Sequence, residues 1–118
     1  MEEIFLFIVP LKRALLNSCR GLKQAWLKER AFRWEVFLGV GIAPILMMVQ
    51  APRLEKLLVV FSFFLVLITE LLNTAIEKAN DAITSTSSPL VKFSKDAASA
   101  AVLLALCLCG LLMINLFL

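Results

Sequence analysis

"LLVVFSFFLVLITELLNTAIEKANDAI" runs from Leu57 to Ile83. From Leu57 to Ile68 it is apolar except for Ser62, and with Thr69 to Ile76 added it reaches the ~20 residues that cross a hydrocarbon layer. The same stretch carries Glu70, Asn73, Glu77 and Asp81. A helix turns about 100° per residue, so positions at i, i+3, i+7 and i+11 share a face. These four form one ridge, about 16 Å long at ~1.5 Å rise per residue. The acids are organised, not scattered.

The surrounding chain has the same character. It holds 118 residues, 61% of them hydrophobic, with a mean hydropathy of +0.92. Soluble domains sit nearer 45–50% apolar. Ala97 to Leu118 holds no charge, and Val36 to Val49, interrupted by Pro44, is the shortest apolar block. Extended to Ala31 and Phe32 with Arg33 snorkelling, that block also crosses; a re-entrant first helix is the alternative. The composition therefore predicts one all-α membrane domain over residues 1–118. It comprises a surface helix over about 1–28 and transmembrane helices over 31–50, 57–80 and 96–118.

The first residues, MEEIFLFIVP, have acids where a signal peptide carries basic residues. Up to Trp26, apolar Leu11, Ala14, Leu15 and Leu22 recur at helical spacing among Lys12, Arg13, Arg20 and Lys23. That pattern predicts an amphipathic helix on an anionic membrane surface. Seven Lys/Arg precede the first span and Lys78, Lys92 and Lys95 follow the second, against Arg53 and Lys56 between the first two. Ten against two places the N-terminus in the cytoplasm and the C-terminus outside. The net charge of +3 then reads as attraction to lipid head groups, with no nucleic acid partner. The chain contains no histidine, which excludes His-based triads and His-containing zinc sites. Cys19, Cys107 and Cys109 read as small hydrophobes.

A carboxylate in hydrocarbon costs on the order of 3 kcal/mol and usually faces a bundle interior or wet cavity. Hydrogen-bonded gluing of helices is one use of such residues. Another is chemical. Carboxylates on consecutive turns plus an amide are hard oxygen donors suited to Mg²⁺, which is normally shared with phosphate oxygens. A further carboxylate can take a proton from an alcohol, and the combination suggests phosphoryl transfer. Lys95 and Asp96 lie at the mouth of the third span, where a lysine can neutralise phosphoryl charge. Ser94 is expected to cap that helix. Glu29 lies where the first span begins, and Trp26 and Trp34 read as interface anchors. No Walker loop or kinase glycine set is present.

"ELLNTAIEKAND", with "AWLKERAFRWE" before it and "KDAASAAVLLA" after it, resembles the bacterial integral-membrane diacylglycerol kinase family, which includes undecaprenol kinases. The resemblance runs from about Gly21 to Ala105. It implies three transmembrane helices per subunit and a surface helix, in a homotrimer with shared sites. It also implies transfer of the γ-phosphoryl of Mg-ATP to a lipid's primary hydroxyl in the bacterial cytoplasmic membrane. Glu70 would be the general base, and Glu29 and Glu77 would hold Mg²⁺ with ATP. Asn73, Lys95 and Asp96 would lie with the nucleotide, and Trp26, Arg33, Glu70 and Ser99 with the lipid. "AFRWE" and "KDAASAAV" look more like the diacylglycerol kinases than the undecaprenol kinases. The chain departs from the family pattern at Pro10, at Asn17 and in the loop "STSSP", where relatives often carry E-x-H; this leaves nucleotide affinity and choice open. From other classes, a small ion-coupled transporter would use a midplane acid and an inverted repeat. A non-catalytic scaffold would tolerate Glu70→Gln.

Overall fold

The computed structural model describes residues 1–86 and 88–118; Ser87, in the "STSSP" loop, lies outside the described residues. Four α-helices follow in chain order: α1 (Glu2–Lys28), α2 (Arg30–Met48), α3 (Arg53–Ile83) and α4 (Pro89–Asn115). Among the described residues there is no strand. Helices α2, α3 and α4 are each long and apolar enough to cross a membrane, so the chain is a multi-pass membrane protein. The three-span reading holds.

At ~1.5 Å per residue, the 31 residues of α3 extend about 46 Å. Hydrocarbon is only about 30 Å thick, so roughly three turns of α3 project beyond it. The acidic ridge occupies its C-terminal part, which the apolar run from Leu57 leaves nearest that overhang. The molecule measures 52 × 47 × 23 Å. A helix with its side chains is about 10–12 Å across, so three parallel helices alone would not fill two long dimensions. Helix α1 accounts for the second one and meets the bundle mainly through α2. It continues through Pro10, where the sequence's first apolar run ends.

Helices α3 and α4 form the main hairpin, with α2 packed against α3 and more lightly against α1. Ile42, Val59 and Leu116 are buried together, and Val66, Ala105 and Cys109 form a second buried cluster, with Phe63 packed against both. Gly39 is where α2 meets that ring: a Cβ there would overlap the Phe63 side chain. The Ser62 and Thr69 hydroxyls bond to the preceding turn. Ser62 Oγ donates to the Val59 carbonyl at 2.8 Å, and Thr69 Oγ1 to Leu65 and Val66 at 3.0 and 2.9 Å. Hydrocarbon offers no other partner, so this bonding is required.

One expectation changes. Helix α4 begins at Pro89, and its cap is Ser88, not Ser94. Ser88 Oγ accepts from the Val91 N–H at 3.2 Å, and Pro89 at the first helical position needs no amide partner. Ser94 lies inside the helix and receives the Asn80 amide at 3.2 Å. The Arg33 guanidinium donates to the Trp26 and Leu27 carbonyls at 2.8 and 3.2 Å. Those groups end α1 and lack helical partners, so Arg33 ties α1 to α2.

Candidate active site

Glu29 is the hinge residue between α1 and α2. Its backbone is extended, with φ −105° and ψ 111°, and its side chain makes no capping bond. The carboxylate is therefore free to turn elsewhere while resting at the positive end of α2. Across the corner, Lys78 Nζ on α3 approaches Glu29 Oε1 at 3.4 Å. Both line an open groove of about 640 Å³ with Lys28, Ala25, Leu71 and Thr74.

The ridge on α3 grades from buried to exposed. Glu70 is 7% exposed, Asn73 and Glu77 are half-buried, and Asp81 is exposed. Glu29 and Glu77 are both near enough to act electrostatically on Glu70. Glu35 on α2 also lies within electrostatic range of Glu70. It is 9% exposed, and sequence reasoning did not single it out. Four carboxylates from three stretches of chain thus share one layer.

Two atoms in that layer are buried without a hydrogen-bond partner: Glu35 Oε2 and Asn73 Oδ1. Orphans of this kind are rare in folded proteins and call for a ligand, an ion or a neighbouring chain.

At the outer end of the ridge, Lys95 Nζ donates to Asp81 Oδ1 at 2.6 Å, joining α4 to α3. One turn earlier Lys92 donates to Asp96 Oδ2 at 2.7 Å. Asp81, Thr84, Thr86, Lys92 and Lys95 line a cavity of about 310 Å³. Lys95 and Asp96 therefore lie at the same end as Asp81, whereas Ser99 is exposed on the next turn of α4. On the other flank the Trp26 ring meets Phe37 edge-on at 5.7 Å, and Trp34 meets the same ring at 6.3 Å.

The bundle thus carries a graded ridge of acids on α3 with lysines at its exposed end. The family "Prokaryotic diacylglycerol kinase" matches residues 16–117, and the chain belongs to that family. It is 38% identical over 94 residues to a diacylglycerol kinase of Haemophilus influenzae, covering 80% of each chain. It is 41% identical over 96 residues to one of Helicobacter pylori, covering 81% of this chain and 75% of that one. With one of Escherichia coli K12 it shares 42% over 94 residues, covering 75% and 73%.

Proposed function

We propose that the chain transfers the γ-phosphoryl group of ATP to the primary hydroxyl of diacylglycerol, giving phosphatidic acid and ADP. The observation that carries this reading is the buried Glu70 at the deep end of a ridge whose other end is exposed. A lipid hydroxyl approaches from the hydrocarbon side, and a nucleotide from the polar side. Glu70 takes the hydroxyl proton as the oxygen attacks the γ-phosphorus. The bond from that phosphorus to the bridging oxygen breaks, and ADP leaves.

The donor set suits Mg²⁺. Glu29 and Glu77 would supply hard oxygens, and the orphaned Asn73 Oδ1, one helical turn from Glu77, would supply a third. Among the described residues, no three Asp, Glu, Cys or His groups are placed to hold a metal ion by themselves; Mg²⁺ is normally bound by one or two carboxylates together with phosphate oxygens. When bound, the ion neutralises charge on the phosphates. Lys95, held at the rim by Asp81, meets the transferring phosphoryl group, and Asp96 supports the nucleotide. Trp26, Arg33 and Ser99 surround the lipid. The orphaned Glu35 Oε2 and the exposed apolar faces of α3 and α4 support a homotrimer in which neighbouring copies complete the site. The distribution of Lys and Arg supports the bacterial cytoplasmic membrane, with the N-terminus inside and the C-terminus outside.

The test is transfer of labelled γ-phosphate in mixed micelles, with diacylglycerol and undecaprenol offered separately. Label entering diacylglycerol, abolished by chelation and reduced about 10²- to 10⁴-fold by Glu70→Gln, is the expected result. Label entering undecaprenol alone would move the substrate within the family. No label in either lipid, from folded protein, would favour a scaffold.

A further inference from the structure

We infer that Lys78 is a built-in counter-cation that competes with the divalent ion for Glu29 and so sets how much free Mg²⁺ the site requires. The inference rests on the proposed metal role of Glu29. It concerns a residue that neither the ridge nor the proposed chemistry uses.

Glu29, Glu35 and Glu77 all lie within electrostatic range of Glu70, and an acid held beside other acids gains from a positive partner. Several basic groups of the chain are committed elsewhere. Arg33 bonds to the carbonyls that end α1. Lys95 is paired with Asp81, and Lys92 with Asp96. Among the described residues, the one ion pair that reaches any of the four layer acids is Lys78 with Glu29, at 3.4 Å.

The helix explains why Lys78 serves Glu29 and not its sequence neighbour. Adjacent residues diverge by about 100°, so Lys78 and Glu77 do not face one another. Glu77 follows the ridge towards Glu70, while Lys78 turns to the α1–α2 corner. The pair lines an open groove. Glu29 is 22% exposed at its side chain and Lys78 67%. Lys78 therefore leaves Glu29 by rotating into solvent, with no rearrangement of the helices. Its contact is longer than the 2.6 Å bond of Lys95 to Asp81, as suits a partner that gives way.

An ammonium beside a carboxylate excludes a cation from the same oxygens. With Lys78 in place, an arriving ion must displace it; without Lys78 the carboxylate stands open and the layer carries one more uncompensated negative charge. Exposed ion pairs are weak, so the expected effect is modest: about two- to fivefold in affinity.

The experiment uses Mn²⁺ as the probe. The full chain in detergent micelles, without nucleotide or lipid substrate, is titrated with Mn²⁺ while the free ion is followed by electron paramagnetic resonance. Lys78→Ala should tighten Mn²⁺ binding about two- to fivefold, and Lys78→Arg should stay near wild type. Glu29→Gln should weaken binding, and adding Lys78→Ala to it should change nothing further. If Lys78→Ala leaves affinity unchanged or weakens it while Glu29→Gln still weakens it, the competition is overturned and the metal role of Glu29 stands. If Glu29→Gln binds like wild type, the metal role falls and the competition with it. No retention by wild type or Lys78→Ala also overturns the competition, because Glu29 then has no independent affinity for Lys78 to oppose.

Discussion

Lys95 Nζ lies 2.6 Å from Asp81 Oδ1 and thereby fastens the start of α4 to the end of α3. The two carriers of this bond differ in exposure: the Lys95 side chain is 35% exposed and that of Asp81 62%. The bond does little for stability at such a site, but it fixes where the Lys95 ammonium rests when no phosphate is present.

Asp81→Asn should therefore lower the unfolding temperature only slightly while raising KM for ATP several-fold. The exchange Asp81→Lys with Lys95→Asp should restore the helix tie and not the turnover. Thermal unfolding and steady-state kinetics on the same preparations separate these effects. A loss of stability as large as the loss of activity would make the pair a structural clamp.

A second prediction concerns the packing under the site. A Cβ at Gly39 would overlap the Phe63 ring, whereas one at Gly41 meets nothing within 4 Å. Overpacking a well-filled interface costs about 1–3 kcal/mol, and alanine favours a helix over glycine by up to about 1 kcal/mol. Gly39→Ala should lower the unfolding temperature in detergent, and Gly41→Ala should leave it unchanged or raise it. Phe63→Leu added to Gly39→Ala should recover much of the loss. Equal effects of the two alanines would show that the ring moves aside freely.

Much of this frame was legible from residue order. Glu70, Asn73, Glu77 and Asp81 repeat with the helical period, so their common face follows from spacing alone. Glu35 was not legible: it sits in "AFRWE" on another helix, and only the packing of α2 on α3 brings it near Glu70. Lys78 was read as a loop-side charge, although its direction follows from the 100° step once Glu29 is known to lie across the corner. The cap of α4 was not legible as Ser94: Pro89, which suits the first position of a helix, marks Ser88 as the cap instead.

That choice of serine gives a third prediction. Ser88 Oγ accepts the Val91 N–H, and loss of an N-cap side chain costs about 1 kcal/mol. Ser88→Ala should destabilise the chain by about that amount, and Ser88→Asp should retain the cap. Ser94 makes a cross-helix bond with Asn80 instead. Ser94→Asp should therefore fail to compensate for Ser88→Ala. Unfolding of the single and paired variants checks this directly; rescue by Ser94→Asp would return the cap to residue 94.

Glu35 supplies the last prediction. Its Oε2 is buried without a partner, and the charge lies within range of Glu70. A buried carboxylate is expensive unless paired, so a site that keeps one unpaired holds it for something besides stability. Replacing the acid with its amide preserves the shape and removes the repulsion. Glu35→Gln should thus leave the unfolding temperature equal or higher while reducing turnover at least tenfold. Glu35→Asp, which keeps the charge but shortens the reach, should lose the activity without the gain in stability. The opposite pattern, a less stable protein with normal turnover, would mean that the carboxylate has a bonding partner in the assembled membrane protein and serves packing alone. Measuring both variants in the same micelles, with oligomeric state followed by size-exclusion chromatography and light scattering, distinguishes these outcomes. If Glu35→Gln instead dissociates the assembly, the orphaned oxygen belongs to an interface between copies, and its effect on turnover follows from the loss of a neighbour's contribution to the site.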